Sequence, residues 1–286
     1  MKSPLVFVVI LNWNGNLCLG ESLKSVFRMR YGQFQVVVVD NDSQDGSFEE
    51  ARKNFGKAHF IRNEENVGFA RGMNVGIRFA IAHGADYIWI LNNDTEVGPA
   101  ALAELVSAAE RGGKRNLYSP LVLSPDGKPW FSGGEILWWR MRAIHVYPDI
   151  HGDAPYGTGF LSGCALFFSR ETIVSLNLFD ERYFLYYEDA DLSVRAKALG
   201  MDCFVVPIAR IIHSESSRLN PDKLYWLVFS GLLFFGLRSP LLLRPWIFCF
   251  TLLRRLKNGV DVLRKKEQSV AVRRAFRAYS EYQRLK

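Results

Sequence analysis

The chain has 286 residues, of which 49% are apolar and 14% aromatic, and this composition excludes a disordered protein. Its length allows one large core or two smaller ones. The formal charge of +7 lies in the tail, because residues 238–286 contain 13 Lys and Arg against 3 Asp and Glu, whereas residues 1–237 contain 23 against 26. A basic tail can face nucleic acid, anionic lipid or water.

The cysteines and the first residues bear on the cellular compartment. Cys18, Cys164, Cys203 and Cys249 are widely separated and form no CxxC pair, so a disulfide scaffold or structural zinc site is not expected, and reduced thiols in the cytosol fit best. The apolar run 4–11 is shorter than the roughly 20 residues that span a bilayer, and no small-residue cleavage site follows it. We predict that it is a buried first strand.

Three apolar runs, 5–11, 35–39 and 87–91, occur in the first hundred residues, and each is followed by Asn or Asp. Continuous rather than alternating apolar strands are typical of a sheet that is covered on both faces. The segments between them have helix length, at roughly 17–29, 46–55 and 68–83. The order of these elements predicts an α/β fold with a mainly parallel central sheet flanked by helices.

Polar clusters follow all three runs, at 12–14, 40–42 and 92–94. In an open α/β sheet, ligands bind at the carboxyl ends of the strands. The sequence therefore predicts a ligand site at this edge of the sheet.

The middle of the chain continues the alternation less regularly. We predict a helix at 100–111, a loop-rich stretch at 124–158, an apolar strand or buried segment at 160–168, and a helix at 189–199 that ends at Gly200. A last short strand, 203–206, is expected to end at Pro207. The loop-rich stretch contains Trp130, Trp138 and Trp139, which either stack on a sugar or cover the core of the sheet.

The character of the sequence changes after residue 224. Two uncharged apolar runs, 224–237 and 246–253, are both too short to span a bilayer, and cations at 254–257, 264–266 and 273–274 follow them. Such segments are typical of helices that lie in a membrane interface against anionic headgroups. A buried pair of helices or a dimer interface is the alternative.

Several motifs have both a functional and a structural interpretation. Asp40, the first residue of an Asp-Asn-Asp cluster, can accept hydrogen bonds from a base or ribose, but turns and helix caps use the same residues. The segment 66–74 has glycines four apart at a helix start, a spacing that disfavours a dinucleotide fold. Arg71 within it can pair with a diphosphate or with a neighbouring acid.

The two acidic corners of the chain are the strongest candidates for chemistry. Asn92-Asn93-Asp94 either forms an Asx turn or supplies one carboxylate to Mg²⁺ or Mn²⁺, with a nucleotide completing the coordination. Glu188 and Asp189 begin a helix and either cap it or supply a general base. His213 is a structural residue or part of the same site.

The motifs at 11–14, 39–43, 66–74, 91–95, 188–192 and His213, taken in this order, resemble those of inverting family 2 glycosyltransferases. Within that family the set is most similar to the rhamnosyltransferase-like and galactofuranosyltransferase-like branch. The resemblance covers roughly residues 5–215. It implies a GT-A fold, a nucleotide-sugar donor, a divalent metal and displacement at the anomeric carbon with inversion.

The resemblance also implies roles for particular residues. Asp189 would be the catalytic base, and Asp94 and His213 would hold the metal, Mg²⁺ or Mn²⁺. The acceptor side would include Glu188 and the two tryptophans Trp138 and Trp139. The donor would meet the residues at the strand ends and the glycine-containing segment, namely Leu11, Asn12, Asp40, Asn41, Asn66, Arg71, Asn92 and Asn93.

Two departures from the family pattern are present. Asn92 replaces the first acid of the usual DxD turn, and the segment after His213 lacks the Arg-Asn pair often found in rhamnosyltransferases, so the donor sugar stays open between dTDP-rhamnose and UDP-hexose types. We expect a GT-A domain at 1–215, with a nucleotide-binding part at 1–100 and an acceptor-binding part at 101–215, and a helical membrane-associating segment at 216–286.

The predicted function is sugar transfer to a glycan or lipid-linked acceptor in polysaccharide or cell-envelope biosynthesis. We expect a peripheral location on the cytoplasmic face of the cell membrane, no nucleic-acid partner, and self-association as an open alternative. A nucleotidyltransferase and a non-catalytic, membrane-associated scaffold that binds nucleotide sugars are the other two hypotheses. The first would need a basic glycine-rich loop near the N-terminus, which 12–15 does not provide.

Overall fold

A computed structural model describes residues 3–149, 152–214, 221–263 and 269–284. One mixed sheet forms the centre of the molecule, and its strands follow one another in the order β10-β12-β6-β11-β4-β1-β2-β3, with β5 on β12 and β7 on β6. The strands are β1 Val6–Asn12, β2 Phe34–Asp40, β3 His59–Arg62, β4 Tyr87–Asn92, β5 Thr95–Val97, β6 Leu117–Leu123, β7 Pro129–Phe131, β8 Gly134–Leu137, β9 Arg142–His145, β10 Tyr156–Gly157, β11 Ala165–Ser169 and β12 Cys203–His213.

Helices flank the sheet, as the alternation of apolar runs and helix-length segments predicts. They are α1 Leu19–Phe27, α2 Ser47–Asn54, α3 Phe69–Ala82, α4 Ala101–Gly112, α5 Arg170–Ser175, α6 Glu188–Ala198, α7 Pro221–Arg238, α8 Arg244–Leu263 and α9 Ser269–Arg284, with short 3₁₀ turns at Trp138–Arg140 and Leu241–Leu243. The helices predicted at 17–29, 46–55, 68–83, 100–111 and 189–199 are all present, within two residues at each end.

The parallel half of the sheet consists of β4, β1, β2 and β3. Val6–Ile10 is completely buried, which explains why this strand is apolar at every position instead of at every second one. The carboxyl ends of β1, β2 and β4 come together because these strands are parallel neighbours. The polar clusters that follow these strands therefore lie at one edge of the sheet, where a ligand site is predicted.

One strand of the other half differs from the prediction. The strand predicted at 203–206 continues to His213, so the expectation that Pro207 ends it is wrong. Its register against β6 shifts between Val206 and Arg210, and proline, which has no N–H to donate, lies in this irregular stretch. The segment 160–168 is buried throughout, as predicted, and only its second half, from Ala165, is a strand, where β11 runs antiparallel to both β4 and β6.

The C-terminal helices differ from one another in burial. Phe234 and Phe235 of α7 are completely buried in the main core, so the alternative of a buried helix describes this run. Arg238 at the end of α7 donates from Nε to Asp191 in α6 at 2.6 Å. Helix α7 is therefore packed into the main core. The boundary expected at 215/216 and the cations at 264–266 lie outside the described residues.

Helix α8 and the turn before it carry the exposed apolar surface. Leu242 is 93% exposed, and Phe248, Leu253 and Leu256 are each about 60% exposed or more. Within the part of the chain that the structure describes, no helix combines the length and apolar character that crossing a membrane requires.

Candidate functional site

The end of β1 is held by a buried network around Asn12. The side-chain Nδ2 of Asn12 donates to Asp40 Oδ1 at 2.8 Å and lies within hydrogen-bond distance of Ser43 Oγ (3.1 Å) and Ser47 Oγ (2.9 Å). Its Oδ1 accepts from Asn93 Nδ2 at 2.8 Å. Direct hydrogen bonds between side chains thus join the ends of the strands that were expected to share a site.

Asn12 and Asp40 differ from the expectation of direct donor contact. Both are completely buried, and Asp40 accepts hydrogen bonds from the backbone and hydroxyl of Ser43 as well as from Asn12. Their polar groups are already satisfied inside the protein. They position the edge on which a donor would lie, whereas the partly buried Leu11, Asn92 and Asn93 lie at its surface.

A second network joins the donor side to the loop before α6. Asn41 Nδ2 donates to Asn66 Oδ1 at 3.2 Å and to the carbonyl of Gly68 at 3.0 Å. The next backbone N–H, that of Phe69, donates to the carbonyl of Phe184 at 2.7 Å. Gly68 has a positive φ of 81°, and a Cβ there would lie 2.4 Å from that same carbonyl oxygen, so only glycine allows this approach.

Arg71 follows this segment on the first turn of α3. Its side chain is 59% exposed, and its Nε lies 4.0 Å from Glu181 Oε2. The structure thus shows the neighbouring acid that was one of its two predicted partners. An exposed pair at this distance is weak, so the guanidinium remains available to an anion.

Asp94 and His213 meet because β5 pairs antiparallel with the end of β12, which places His213 opposite Thr95. His213 Nε2 lies 3.0 Å from Asp94 Oδ1, and His213 is only 4% exposed. Asp94 Oδ1 and His213 Nδ1 nevertheless have no hydrogen-bond partner among the described residues. Buried polar atoms are rarely left in this state unless a ligand or water completes the site.

This pair fits a divalent cation. Octahedral coordination at about 2.1 Å places adjacent ligand atoms about 3.0 Å apart, which is the separation of the carboxylate oxygen and the imidazole nitrogen. No group of three or more His, Cys, Asp or Glu side chains in the described ranges has a metal-binding arrangement. Two protein ligands require the substrate to complete the shell, which is how Mg²⁺ sites with phosphates are commonly built.

Asp189 lies in the first turn of α6, and both of its carboxylate oxygens are oriented by backbone amides. Oδ2 accepts from Gly163 N at 2.8 Å, and Oδ1 accepts from Ala190 N at 2.7 Å. Burial raises the pKa of Asp189 above its ordinary value, and it outweighs the opposing effects of these two amides and of nearby His145. A partly buried carboxylate with a raised pKa is a better proton acceptor.

The backbone immediately before α6 is strained. Tyr186 and Tyr187 are consecutive non-glycine residues with φ values of 68° and 66°. The left-handed region costs such residues energy, and the surrounding structure must enforce it. The strain is therefore concentrated next to Glu188 and Asp189.

Glu188 is 5% exposed, and its Oε2 has no hydrogen-bond partner within the described residues. Burial raises its pKa well above the ordinary value, and the charges of Asp189 and Asp191 act in the same direction. The backbone N–H of Glu188 itself opposes this shift by a hydrogen bond to the carboxyl, but the carboxyl has no ion-pair partner within the described residues. Its place on the acceptor side stays a prediction.

His145 was not identified from the sequence, and Trp130 was predicted only to stack on a sugar or to cover the core of the sheet. Trp130 packs edge-on against His213, with ring centroids 4.3 Å apart, and against His145 at 5.1 Å. His145 Nδ1 lies 3.1 Å from the carbonyl of Trp130. Its imidazole is close enough to Asp189 to lower the pKa of that carboxyl. Trp130 therefore lies between His213 and His145.

The two tryptophans predicted on the acceptor side have different surroundings. The ring of Trp138 stacks on Phe234 of α7 with centroids 5.7 Å apart, so it covers the core. Trp139 is 62% exposed, and its carbonyl accepts a hydrogen bond from Trp246 of α8. Only Trp139 has an open ring face for a sugar.

Comparison with known proteins gives a consistent result. The model of the family described as "Glycosyl transferase family 2" matches residues 7–173, more than half of the chain. N-acetylglucosaminyl-diphospho-decaprenol L-rhamnosyltransferase of Mycobacterium tuberculosis is 27% identical over 210 residues, 65% of this chain and 68% of that protein. Galactofuranosyltransferase GlfT1 of the same organism is 26% identical over 201 residues, 68% of this chain and 66% of that protein.

Solved structures show the same fold. GalNAc-T7, crystallised with UDP, GalNAc and Mn²⁺, aligns with a TM-score of 0.65 at 19% identity and covers 80% of this chain. The chain spans about half of that longer protein, 48% of its length. The two share one mixed sheet flanked by helices.

The buried carboxyl of Glu188 predicts a pH-dependent effect on stability. Glu188 binds its proton more tightly in the folded chain, so its contribution to stability decreases as the pH rises above the unfolded pKa of about 4.3. We expect Glu188→Gln to raise the free energy of unfolding at pH 8 by about 1–3 kcal/mol, with no difference near pH 4. Urea denaturation measures this. Glu65→Gln, at an exposed position, is the control, and equal effects of the two variants would contradict the assignment.

Proposed function

Since the chain belongs to glycosyltransferase family 2 and has a GT-A fold, we propose that it is a metal-dependent inverting glycosyltransferase of the rhamnosyltransferase-like and galactofuranosyltransferase-like branch. Family membership establishes sugar transfer from a nucleotide-sugar donor. The proposal adds a lipid-linked or glycan hydroxyl as the acceptor, within cell-envelope polysaccharide synthesis. The relatives that act on a decaprenyl diphosphate sugar and on galactofuranose support this choice.

The observation that carries the proposal is the orientation of Asp189. Two backbone amides fix its carboxylate, burial raises its pKa, and its position matches the catalytic base of the family. In the proposed reaction Asp189 takes the proton of the acceptor hydroxyl. The oxygen forms its bond to the anomeric carbon from the side opposite the diphosphate, whose bond to that carbon breaks.

The donor side of the reaction lies at the strand ends. Asp94 and His213 would hold Mg²⁺ or Mn²⁺, which supplies stabilisation of the negative charge that develops on the leaving diphosphate. Leu11, Asn92 and Asn93 would contact the donor at the edge that Asn12 and Asp40 position. The exposed cation of Arg71 is available to the same diphosphate.

The base assignment predicts the behaviour of Asp189→Asn. We expect transfer to fall by at least about 1,000-fold, because the amide cannot accept the proton, while nucleotide affinity stays within about twofold. Transfer is measured with radiolabelled donor and nucleotide affinity by calorimetry. Asp202→Asn, at an exposed position on the same half of the chain, is the control. Transfer at the wild-type rate in Asp189→Asn would exclude Asp189 as the base.

The cation pair predicts metal dependence that can be measured without turnover. We expect Mn²⁺ to increase the rise in melting temperature that a nucleoside diphosphate causes. His213→Ala should lose this increase, whereas the control variant His83→Ala should keep it. A panel of uridine, thymidine and guanosine diphosphates in the same experiment identifies the donor base. Full transfer in excess chelator would exclude the metal roles of Asp94 and His213. No stabilisation by any nucleotide would contradict nucleotide-sugar binding itself.

The exposed surface of α8 and its preceding turn supports association with a membrane surface. Leu242, Phe248 and Leu253 are exposed, and Arg244, Arg254 and Lys257 are exposed on the same helix. Apolar side chains among cations are typical of interfacial helices. The proposed location is therefore peripheral on the cytoplasmic face, through α8 rather than through all of 224–286. Self-association stays a prediction.

We expect the triple variant Leu242→Asp, Phe248→Asp and Leu253→Asp to lower sedimentation with phosphatidylglycerol vesicles by at least tenfold, since each buried side chain contributes about 1.5–3 kcal/mol. Deletion of the whole tail is a poorer test because α7 belongs to the core. Leu199→Asp, at an exposed position on the catalytic domain, is the control. Unchanged sedimentation of the triple variant would count against binding through α8.

A further inference from the structure

A cavity of about 750 Å³ lies between the β8–β9 hairpin and the three C-terminal helices. Side chains of α7 and α8 form an apolar wall that includes Leu227, Val228, Phe235 and Phe250. The cavity is separate from the strand ends where the donor is proposed to bind. Its volume is within the range that a drug-sized ligand occupies.

The charged groups of this cavity all have the same sign. Arg140, Arg142, Arg254 and Lys257 line it, and no Asp or Glu is among the described residues that do. None of the four forms an ion pair with an acid in the described ranges. Four unpaired cations beside an apolar wall are complementary to an anionic group attached to a hydrocarbon chain.

Tyr187 connects the cavity to the catalytic base. Its side chain lines the cavity, its ring packs against Phe235 with centroids 5.9 Å apart, and Asp189 follows two residues later in the chain. Burial raises the pKa of the Tyr187 phenol, and the positive charges of Arg254 and Arg142 oppose this while Asp189 adds to it. The phenol is therefore close to both the cations of the cavity and the base.

The same helix that closes the cavity presents the exposed apolar surface. Phe250, Thr251 and Arg254 of α8 line the cavity, whereas Leu252, Leu253 and Leu256 of α8 are exposed to the outside. A hydrocarbon chain in the cavity can therefore continue into a lipid layer beneath α8. A purely polar ligand would gain no affinity from the apolar wall or from the exposed apolar side chains of α8.

We propose that this cavity is the acceptor's lipid-diphosphate site: Arg140, Arg142, Arg254 and Lys257 bind the diphosphate, and the apolar wall binds the first isoprenoid units. The proposal rests on the proposed function, and it adds the place where a lipid-linked acceptor is held. The diphosphate anchors the acceptor sugar near Tyr187, so that its hydroxyl reaches Asp189. The site is separate from the donor's diphosphate, which would lie with Asp94 and His213. The four cations bind the acceptor diphosphate, since no Asp or Glu is among the described residues that line the cavity.

Farnesyl diphosphate, a soluble molecule with three isoprenoid units, is the probe, and titration calorimetry on the full chain is the measurement. We expect it to bind at least tenfold more tightly than inorganic pyrophosphate or farnesol alone. Arg142→Gln and Arg254→Gln should each weaken it about tenfold, the order expected from losing one charge-assisted hydrogen bond. Leu227→Asp, which adds an anion at a half-exposed wall position, should weaken it as well. Arg244→Gln, an exposed cation of α8 outside the cavity, should leave it unchanged.

Pyrophosphate binding as tightly as farnesyl diphosphate would overturn the proposal, because the cavity would then accept free phosphates without a lipid. Equal affinity of Arg142→Gln, Arg254→Gln and the unmodified chain would overturn it too. Nucleoside diphosphate binding is measured on the same samples and should not change in these variants. Failure of the unmodified chain to bind farnesyl diphosphate while it binds the nucleotide rejects the acceptor site alone, whereas failure of the unmodified chain to bind any nucleoside diphosphate rejects the proposed function.

Discussion

The buried carboxylate of Asp191 is the interaction on which the rest of the site depends. It has no solvent exposure, and it accepts hydrogen bonds from Tyr183, Arg195 and Arg238. Arg238 comes from α7, Arg195 from the third turn of α6, and Tyr183 from the loop before α6. A buried charge must be paired, and removing a partner from such a cluster typically costs about 3–5 kcal/mol. This cluster fixes the start of α6, where Glu188 and Asp189 lie, and joins α7 to the catalytic domain.

The two acidic corners differ in how fully the protein's own groups satisfy their polar atoms. Asp189 is fully engaged with backbone amides, and its orientation is set before any substrate binds. Asp94 and His213 are adjacent but incompletely paired, so their arrangement is completed only by what binds there. Between the corners, Trp130 packs against His213 and His145. The proposed base is therefore oriented in advance, whereas the proposed cation pair is completed only by a ligand.

The sequence predicted the α/β architecture and the ligand edge because continuous apolar strands and terminal Asn and Asp residues are local signals. It did not predict that Asn12 and Asp40 are buried, since a polar side chain that holds the edge and one that binds a ligand look alike in sequence. His145 was missed because its position depends on the β8–β9 hairpin. The contact of Trp130 with His213 was missed because it depends on β7 and the end of β12 coming together. The sequence predicted that β12 ends at Pro207. The irregular register that accommodates the proline depends on the pairing of β12 with β6, which is not a local signal. The sequence left the burial of α7 open, because the hydrogen bond from Arg238 to Asp191 that joins α7 to α6 connects residues 47 positions apart.

The close approach at Gly68 has a consequence for altering this enzyme. The carbonyl oxygen of Phe184 accepts a hydrogen bond from the N–H of Phe69, and it occupies the space that a side chain at position 68 would need. The segment proposed to adjoin the donor and the loop that leads to the proposed base therefore pack directly against each other and move together. A redesign that reshapes residues 66–71 to accept another nucleotide would displace residues 184–189 along with them. Exchanging donors in this scaffold thus requires repacking the acceptor side in the same design.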